Sequence, residues 1–220
     1  YFDLYNEIPE FKLQNYDMTM SEFKIIFWWE WIHRFLGRLI GISFLIPLIY
    51  FTYLTSFKKM INLYLIFLLI CFQGFIGWYM VSSGLVDRVD VSHYRLAIHL
   101  MIAFIILSLI FWNYLNLKNV TLPDKNINFG LSLFLILIIY TQITIGAFVS
   151  GMDAGKIYNT WPLMGSNYFP DDNNIINLLS LSAFNDASLV QFLHRNLAYL
   201  IIFVYFFIFF KIYRNNNKIL

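Results

Sequence analysis

The chain of 220 residues is 60% hydrophobic and 20% aromatic, with 13% charged residues and a formal net charge of +2. A soluble domain of this length lacks the polar surface to cover so much apolar material, so long apolar runs must lie in lipid. The single cysteine, Cys71, sits inside one of those runs, which excludes an internal disulfide and a metal site built from cysteines.

Five segments are long enough to cross about 30 Å of hydrocarbon at about 1.5 Å per residue. They fall near 28–54, 61–82, 94–115, 129–150 and 189–213, and the expected fold is an all-α integral membrane bundle. Segment 1–24 carries Asp3, Glu7, Glu10, Asp17 and Glu22, and shows no signal peptide. The connections around Lys58–Lys59 and Lys118–Lys125 are short and basic, as is the tail with Lys211, Arg214 and Lys218. Segments 83–92 and 151–187 hold Asp87, Asp90, Asp153, Asp171, Asp172 and Asp186. The positive-inside rule puts the basic loops in the cytoplasm or mitochondrial matrix and the acidic segments on the opposite, outer side. An outer N-terminal segment without an export signal leads to the expectation of a further span upstream.

The first span opens FWWEWIHRFLGRLIG, placing Glu30, His33 and Arg34 at the edge of an apolar run. His33, His99 and His194 each lie about five residues inside their spans, and all three spans enter from the outer side, so the imidazoles are expected at similar depth. Ionisable groups inside a membrane are costly and point to function, although a lone histidine can also serve as a hydrogen bond between helices. Imidazoles facing one another across a helical bundle suit a haem iron, which accepts one nitrogen from each side. Arg34 and Arg195 directly follow His33 and His194, and Arg95 lies one turn before His99. Each arginine can bind a haem propionate or extend to the interface, and the two roles are compatible. Glu30 and His33 share a helix face, as in di-iron carboxylate bundles. That site requires a second such pair, and the position before His194 is held by Gln191.

That correspondence belongs to an internal repeat. WWEWIHRFLGRLI aligns with LVQFLHRNLAYLI, placing Glu30 against Gln191 and His33 against His194. QGFIGWYMVSSGL (73–85) is echoed, with one residue skipped, by QITIGAFVSGM (142–152). Two related helical halves follow, with an ionisable group near the histidine in one and an amide in the other. With His33 and His99 paired, His194 lacks a mate, and His93 at the outer edge is expected to face solvent or a propionate. Gln73 and Gln142 are expected to form hydrogen bonds between helices. Gly37, Gly41, Gly74 and Gly77 are expected to permit close helix packing. In YNTWPLM of the 151–187 loop, Tyr158, Trp161 and Pro162 stand at interface level as part of an aromatic belt.

These strings resemble the haem A synthase family, in its mitochondrial and alphaproteobacterial branch. The resemblance rests on MTMSEFKIIFWWEWIHRFLGRLIG (18–41), QGFIGWYMVSSGL (73–85), VSHYRLAIHL (91–100), TQITIGAFVSGMDAGKIYNTWPLMG (141–165) and VQFLHR (190–195). It implies eight spans in two four-helix halves, of which this chain holds spans two to six as a fragment. Residues 1–120 would form most of the N-terminal half, where His33 and His99 face the substrate haem O. Residues 121–220 would begin the C-terminal half, where His194 is one ligand of haem b and the other lies beyond residue 220. Glu30 matches the carboxylate the family requires, with a proton relay or water positioning as its expected role. Arg34, Arg95 and Arg195 are the expected contacts to the haems, and the 151–187 loop would cap the haem region from outside. The implied reaction oxidises the C8 methyl of haem O to a formyl group, giving haem A for a terminal cytochrome oxidase. The implied partners are a haem O synthase, an electron donor such as a ferredoxin, membrane lipid and a second copy of the chain, with no nucleic acid. The implied location is a bacterial plasma membrane or mitochondrial inner membrane. Two other readings are a bis-histidine cytochrome b electron carrier and an assembly or transport protein without cofactor.

Overall fold

The computed structural model describes residues 1–84, 89–118 and 129–216. Asp87, Leu85, the basic stretch from residue 119 to Lys125, Lys218 and the expected division at 120/121 lie outside the described residues. Five helices are long and apolar enough to cross a membrane, and no strand occurs among the described residues, so the chain is an all-α integral membrane protein.

Two short helices, α1 (Phe2–Tyr5) and α2 (Pro9–Leu13), precede the first long one. The long helices are α3 (Met20–Leu54), α4 (Phe57–Gly84), α5 (His93–Leu117), α6 (Phe129–Gly151) and α7 (Ala187–Asn216). All five expected spans are present, and α3 begins eight residues before the expected start at 28. The cause is local: Thr19 accepts from the Glu22 amide while the Glu22 carboxylate accepts from the Thr19 amide, closing a capping box. The apolar boundary and the helix boundary therefore separate. His33 comes between three and four turns into α3, while His99 and His194 come about two turns into α5 and α7.

The chain divides into two compact units, Tyr1–Arg95 with Ile102–Asn116 and Leu96–Met101 with Leu117–Leu220. In the first unit α3 packs along α4, and the end of α3 is joined to the start of α4 by Thr52 and the Tyr64 hydroxyl at 3.1 Å. Aromatic contacts of Tyr1, Phe2 and Tyr5 with Phe23 and Phe27 hold α1 against the start of α3. In the second unit α6 packs along α7, with Ile145, Ala147 and Phe148 against Val190 and with the Leu96–Met101 turn of α5 contributing Ala97. Most apolar side chains of the spans face outward, the pattern expected where lipid is the solvent.

A Cβ at Gly37, Gly41 or Gly74 would meet open space, which corrects the expectation that these glycines permit close helix contact. Close approach instead involves Gly146 on α6.

Candidate functional site

In the first unit, Glu30 and Arg34 lie one turn apart on α3, and their side chains form an ion pair at 2.9 Å. Both are about half exposed, at 55% for Glu30 and 47% for Arg34, and His33 stands beside them on an equally open stretch from Trp28 to Ile40. Trp28, Trp31 and Phe35 form a ring ladder along the same helix, with Trp31 and Phe35 stacked at 5.3 Å. Arg95 donates to Ser83 Oγ at 2.6 Å and lies 5.1 Å from the centre of the Tyr79 ring, tying the start of α5 to the end of α4. Glu10, in α2, accepts from the Tyr5 hydroxyl at 3.0 Å. Burial pushes the Glu10 carboxyl above its usual range, and the negative charges of Glu30 and Asp90 push the same way against the Tyr5 hydrogen bond.

In the second unit, His194 sits where α7 meets α6. Gln142 donates its amide to the His194 carbonyl at 3.2 Å, and the same nitrogen lies 3.3 Å from His194 Nε2. The other ring nitrogen, Nδ1, is buried without a hydrogen-bond partner. Beside it is Gly146, where a Cβ would come within 3.1 Å of His194 Cε1 and 3.6 Å of Nδ1. His99, half-buried, belongs to the α5 turn packed on α6 and α7 within this unit, and His93 is half-buried at the first position of α5. His33 belongs to the first unit and His99 to the second.

Arg195 turns to the loop between α6 and α7. Its guanidinium donates to the carbonyls of Thr160 at 2.8 Å, Leu163 at 3.3 Å and Tyr158 at 2.7 Å. Buried Gln191 donates to the Tyr158 carbonyl at 2.9 Å and accepts from the Tyr158 amide at 3.3 Å. Further along α7, Tyr168 reaches Asn196 at 2.6 Å and Trp161 donates to the Tyr199 hydroxyl at 2.7 Å. Positions 188, 191, 195 and 199 recur at helical spacing, so one stripe of α7 holds the loop while the neighbouring stripe meets α6. At the base of the loop Asp172 accepts from Ser188 at 2.5 Å and from Tyr158 at 2.9 Å. Asp171 accepts from the Ser166 amide and from Asn167, both at 2.6 Å. Gly165, at φ +84°, leaves room for the Asp171 carboxylate, which a Cβ would strike.

The sequence singled out Arg195 and Gln142, and the structure gives each a partner in the second unit. It did not single out Gly146, nor the attachment of Tyr158 to Gln191. The register of Gln191 against Glu30 was the available signal, since an amide can both donate to and accept from one backbone unit.

Among the described residues no group of three or more histidine, cysteine or carboxylate side chains gathers as a metal site. A haem iron needs only axial donors from the protein, because the macrocycle supplies the other four nitrogens. His194 fits that demand on the chemistry of this structure: it offers a buried ring nitrogen with no protein partner and a glycine at the ring edge.

An all-α membrane protein with imidazoles inside its spans is thus defined. A profile of the cytochrome oxidase assembly protein family matches residues 1–219, and the chain belongs to that family. It is 48% identical over 218 residues to a heme A synthase of Pelagibacter ubique, covering 96% of this chain and 64% of the relative. It is 43% identical to a heme A synthase of Parvibaculum lavamentivorans, covering 91% and 59%, and 45% identical to one of Rickettsia bellii, covering 90% and 61%. The chain spans about three-fifths of the length of the curated relatives it matches. No solved structure matches it.

Proposed function

We propose that this chain is the haem-handling part of a haem A synthase, which oxidises the C8 methyl of haem O to a formyl group. Family membership and the names of the relatives support the reading, and the partnerless buried Nδ1 of His194 is the observation in the structure that carries it. In this proposal residues 1–120 belong to the substrate half, with His33 and His99 toward haem O. Residues 121–220 belong to the half in which His194 holds haem b. The haems supply the redox chemistry, and the chain supplies ligands, charge and exclusion of water. Glu30 exchanges protons at the edge of the substrate site, with Arg34 holding its carboxylate in place through their ion pair. Arg34 and Arg95 would bind propionates in the substrate half, while Arg195 keeps the loop in position in the other. A haem O synthase delivers the substrate, a ferredoxin-type donor supplies electrons, and the histidines lie toward the periplasmic or intermembrane side.

The electron-carrier reading suits the His194 half considered alone, because Gln191 occupies the register of Glu30 and its amide is committed to the loop. The deciding experiment uses the full-length protein in a host that makes haem O but no haem A, with haems extracted and separated. Haem A formed by the unaltered protein, and lost with His33→Ala and with Glu30→Gln, supports the synthase. Bound haem b with haem O left unconverted by the unaltered protein makes the chain a cytochrome.

A further inference from the structure

The part of the loop nearest α7 is uncharged and carries exposed aliphatic side chains. From Asn173 to Asn185 there is no charged residue, although Asp171 and Asp172 precede it and Asp186 follows. Two 3-10 turns form it, Ile175–Leu179 and Leu181–Asn185. Some polar side chains in and beside them pair with one another, and Asn173 pairs with the residue that precedes α7. Asn173 donates to both Asp186 oxygens at 3.1 Å, Asn177 donates to Asn173, and the hydroxyls of Ser180 and Ser182 meet at 2.8 Å. The aliphatic side chains point outward: Ile175 is 68% exposed, Ile176 63%, Leu179 84% and Leu181 83%. Water does not favour that arrangement, since four large aliphatic side chains within seven residues gain nothing by facing it.

The packing fixes the depth. Ala183 is buried, and the ring of Phe184 meets that of Phe148 edge-on at 6.0 Å. Phe148 lies three residues inside the end of α6, about 4.5 Å along the axis. Asp186 accepts from the Leu189 amide at 3.0 Å, so α7 begins at the same level. Residues 183–186 therefore lie at the loop ends of α6 and α7, two helices long and apolar enough to cross a membrane, and the exposed aliphatic side chains of 175–181 lead directly into them.

We propose that residues 175–181 form a lipid-seated shelf, with Ile175, Ile176, Leu179 and Leu181 resting in the interfacial layer of the leaflet at the loop end of α6 and α7. Uncharged and amphiphilic, the segment suits zwitterionic and anionic lipids alike, because apolar burial at the headgroup boundary provides the attraction.

The test places a nitroxide at Leu179→Cys, and separately at Leu181→Cys, in the full-length protein with Cys71 and any other cysteine replaced by alanine. The protein is reconstituted in phosphatidylcholine–phosphatidylglycerol vesicles, and collision with oxygen is compared with collision with a water-soluble nickel chelate. A label at Lys156→Cys, where the side chain is 79% exposed, gives the aqueous reference. The expected result is an oxygen-to-nickel ratio several-fold higher at both shelf positions than at 156. A ratio equal to that at 156 overturns the proposal in favour of an aqueous loop. Low collision with both reagents also overturns it, since the shelf would then be covered by protein, whether another segment of the full-length chain or a second copy. The readout is independent of haem chemistry and stands whether or not the protein makes haem A.

Discussion

Gln191 and Tyr158 are joined through both polar atoms of one backbone unit: the side-chain amide donates to the Tyr158 carbonyl at 2.9 Å and accepts from its N–H at 3.3 Å. Gln191 stands in the register of Glu30, and Arg195 in that of Arg34. In α3 the two positions carry opposite charges that pair with each other. In α7 the amide leaves the arginine without an acid, and both side chains turn to the loop.

Removing this attachment is expected to loosen the loop before it affects the helices. Each hydrogen bond contributes about 0.5–1.5 kcal/mol, toward the lower end where the bond is exposed. Gln191→Ala and Arg195→Ala should each speed exchange of the Tyr158 amide and increase tryptic cleavage after Lys156. Arg195→Lys should recover only part of the protection, because one ammonium cannot reproduce a fork shared among the carbonyls of Tyr158, Thr160 and Leu163. Unchanged exchange in all three variants would show that the bonds contribute nothing to loop order.

Gly146→Ala tests the ring edge of His194. The added methyl would stand 3.1 Å from Cε1, so the imidazole must shift by a few tenths of an ångström or α6 must move from α7. Overpacking of this kind costs about 1–3 kcal/mol. The expected result is a lower melting temperature of the full-length protein and, with the haem proposed at His194 in place, a shifted absorption spectrum. Gly37→Ala, where the structure leaves open space, is the comparison and should alter neither by as much.

Acid should release the loop from its own base. Hydrogen bonds from the Ser166 amide, Asn167 and the Ser166 hydroxyl hold Asp171 below its ordinary value of 3.8. Burial pushes Asp172 upward, but the Ser188 and Tyr158 hydroxyls outweigh it and leave that carboxyl lowered as well. Carboxyls depressed in the fold bind fewer protons there than in the unfolded chain, so their contribution is complete above the ordinary value and fades as pH falls through the depressed ones. Loop proteolysis by an acid-active protease should rise below about pH 3.8. Asp171→Asn should remove most of that rise, and a rise of the same size in the variant would place its origin elsewhere.

Thr19→Ala should cost the start of α3 about 1 kcal/mol, the usual loss for an N-cap hydroxyl. Amide exchange over residues 20–23 should quicken while exchange deeper in α3 stays the same. Slow exchange throughout would mean that contacts of Phe23 and Phe27 with α1 hold the helix end without the cap.

The spans were legible because apolar runs of bilayer length have few other uses, and all five appear where hydropathy places them. The start of α3 was not legible in hydropathy, which marks the lipid boundary, whereas the helix begins at Thr19 and Glu22 through hydrogen bonds that ignore that boundary. The glycines of α3 were misread for a related reason: lacking a side chain makes contact possible without supplying a neighbour. His194 and Gln142 stood out as polar groups in apolar runs, but which atom of one meets which atom of the other depends on the rotation of α6 against α7. No pattern within either helix encodes that rotation. The loop was the least legible part, since much of its attachment to Gln191 and Arg195 runs through main-chain carbonyls, which every sequence has.

That dependence on carbonyls divides tolerance to change unevenly across the second unit. Leu163 is bound through an oxygen that any amino acid would present, so its side chain can drift without detaching the loop. Gln191 and Arg195 have no such freedom, because the recognising groups are theirs. Substitutions should therefore accumulate on the recognised strand of the contact and be purged from the helix that does the recognising, even though the loop is the part that looks specialised.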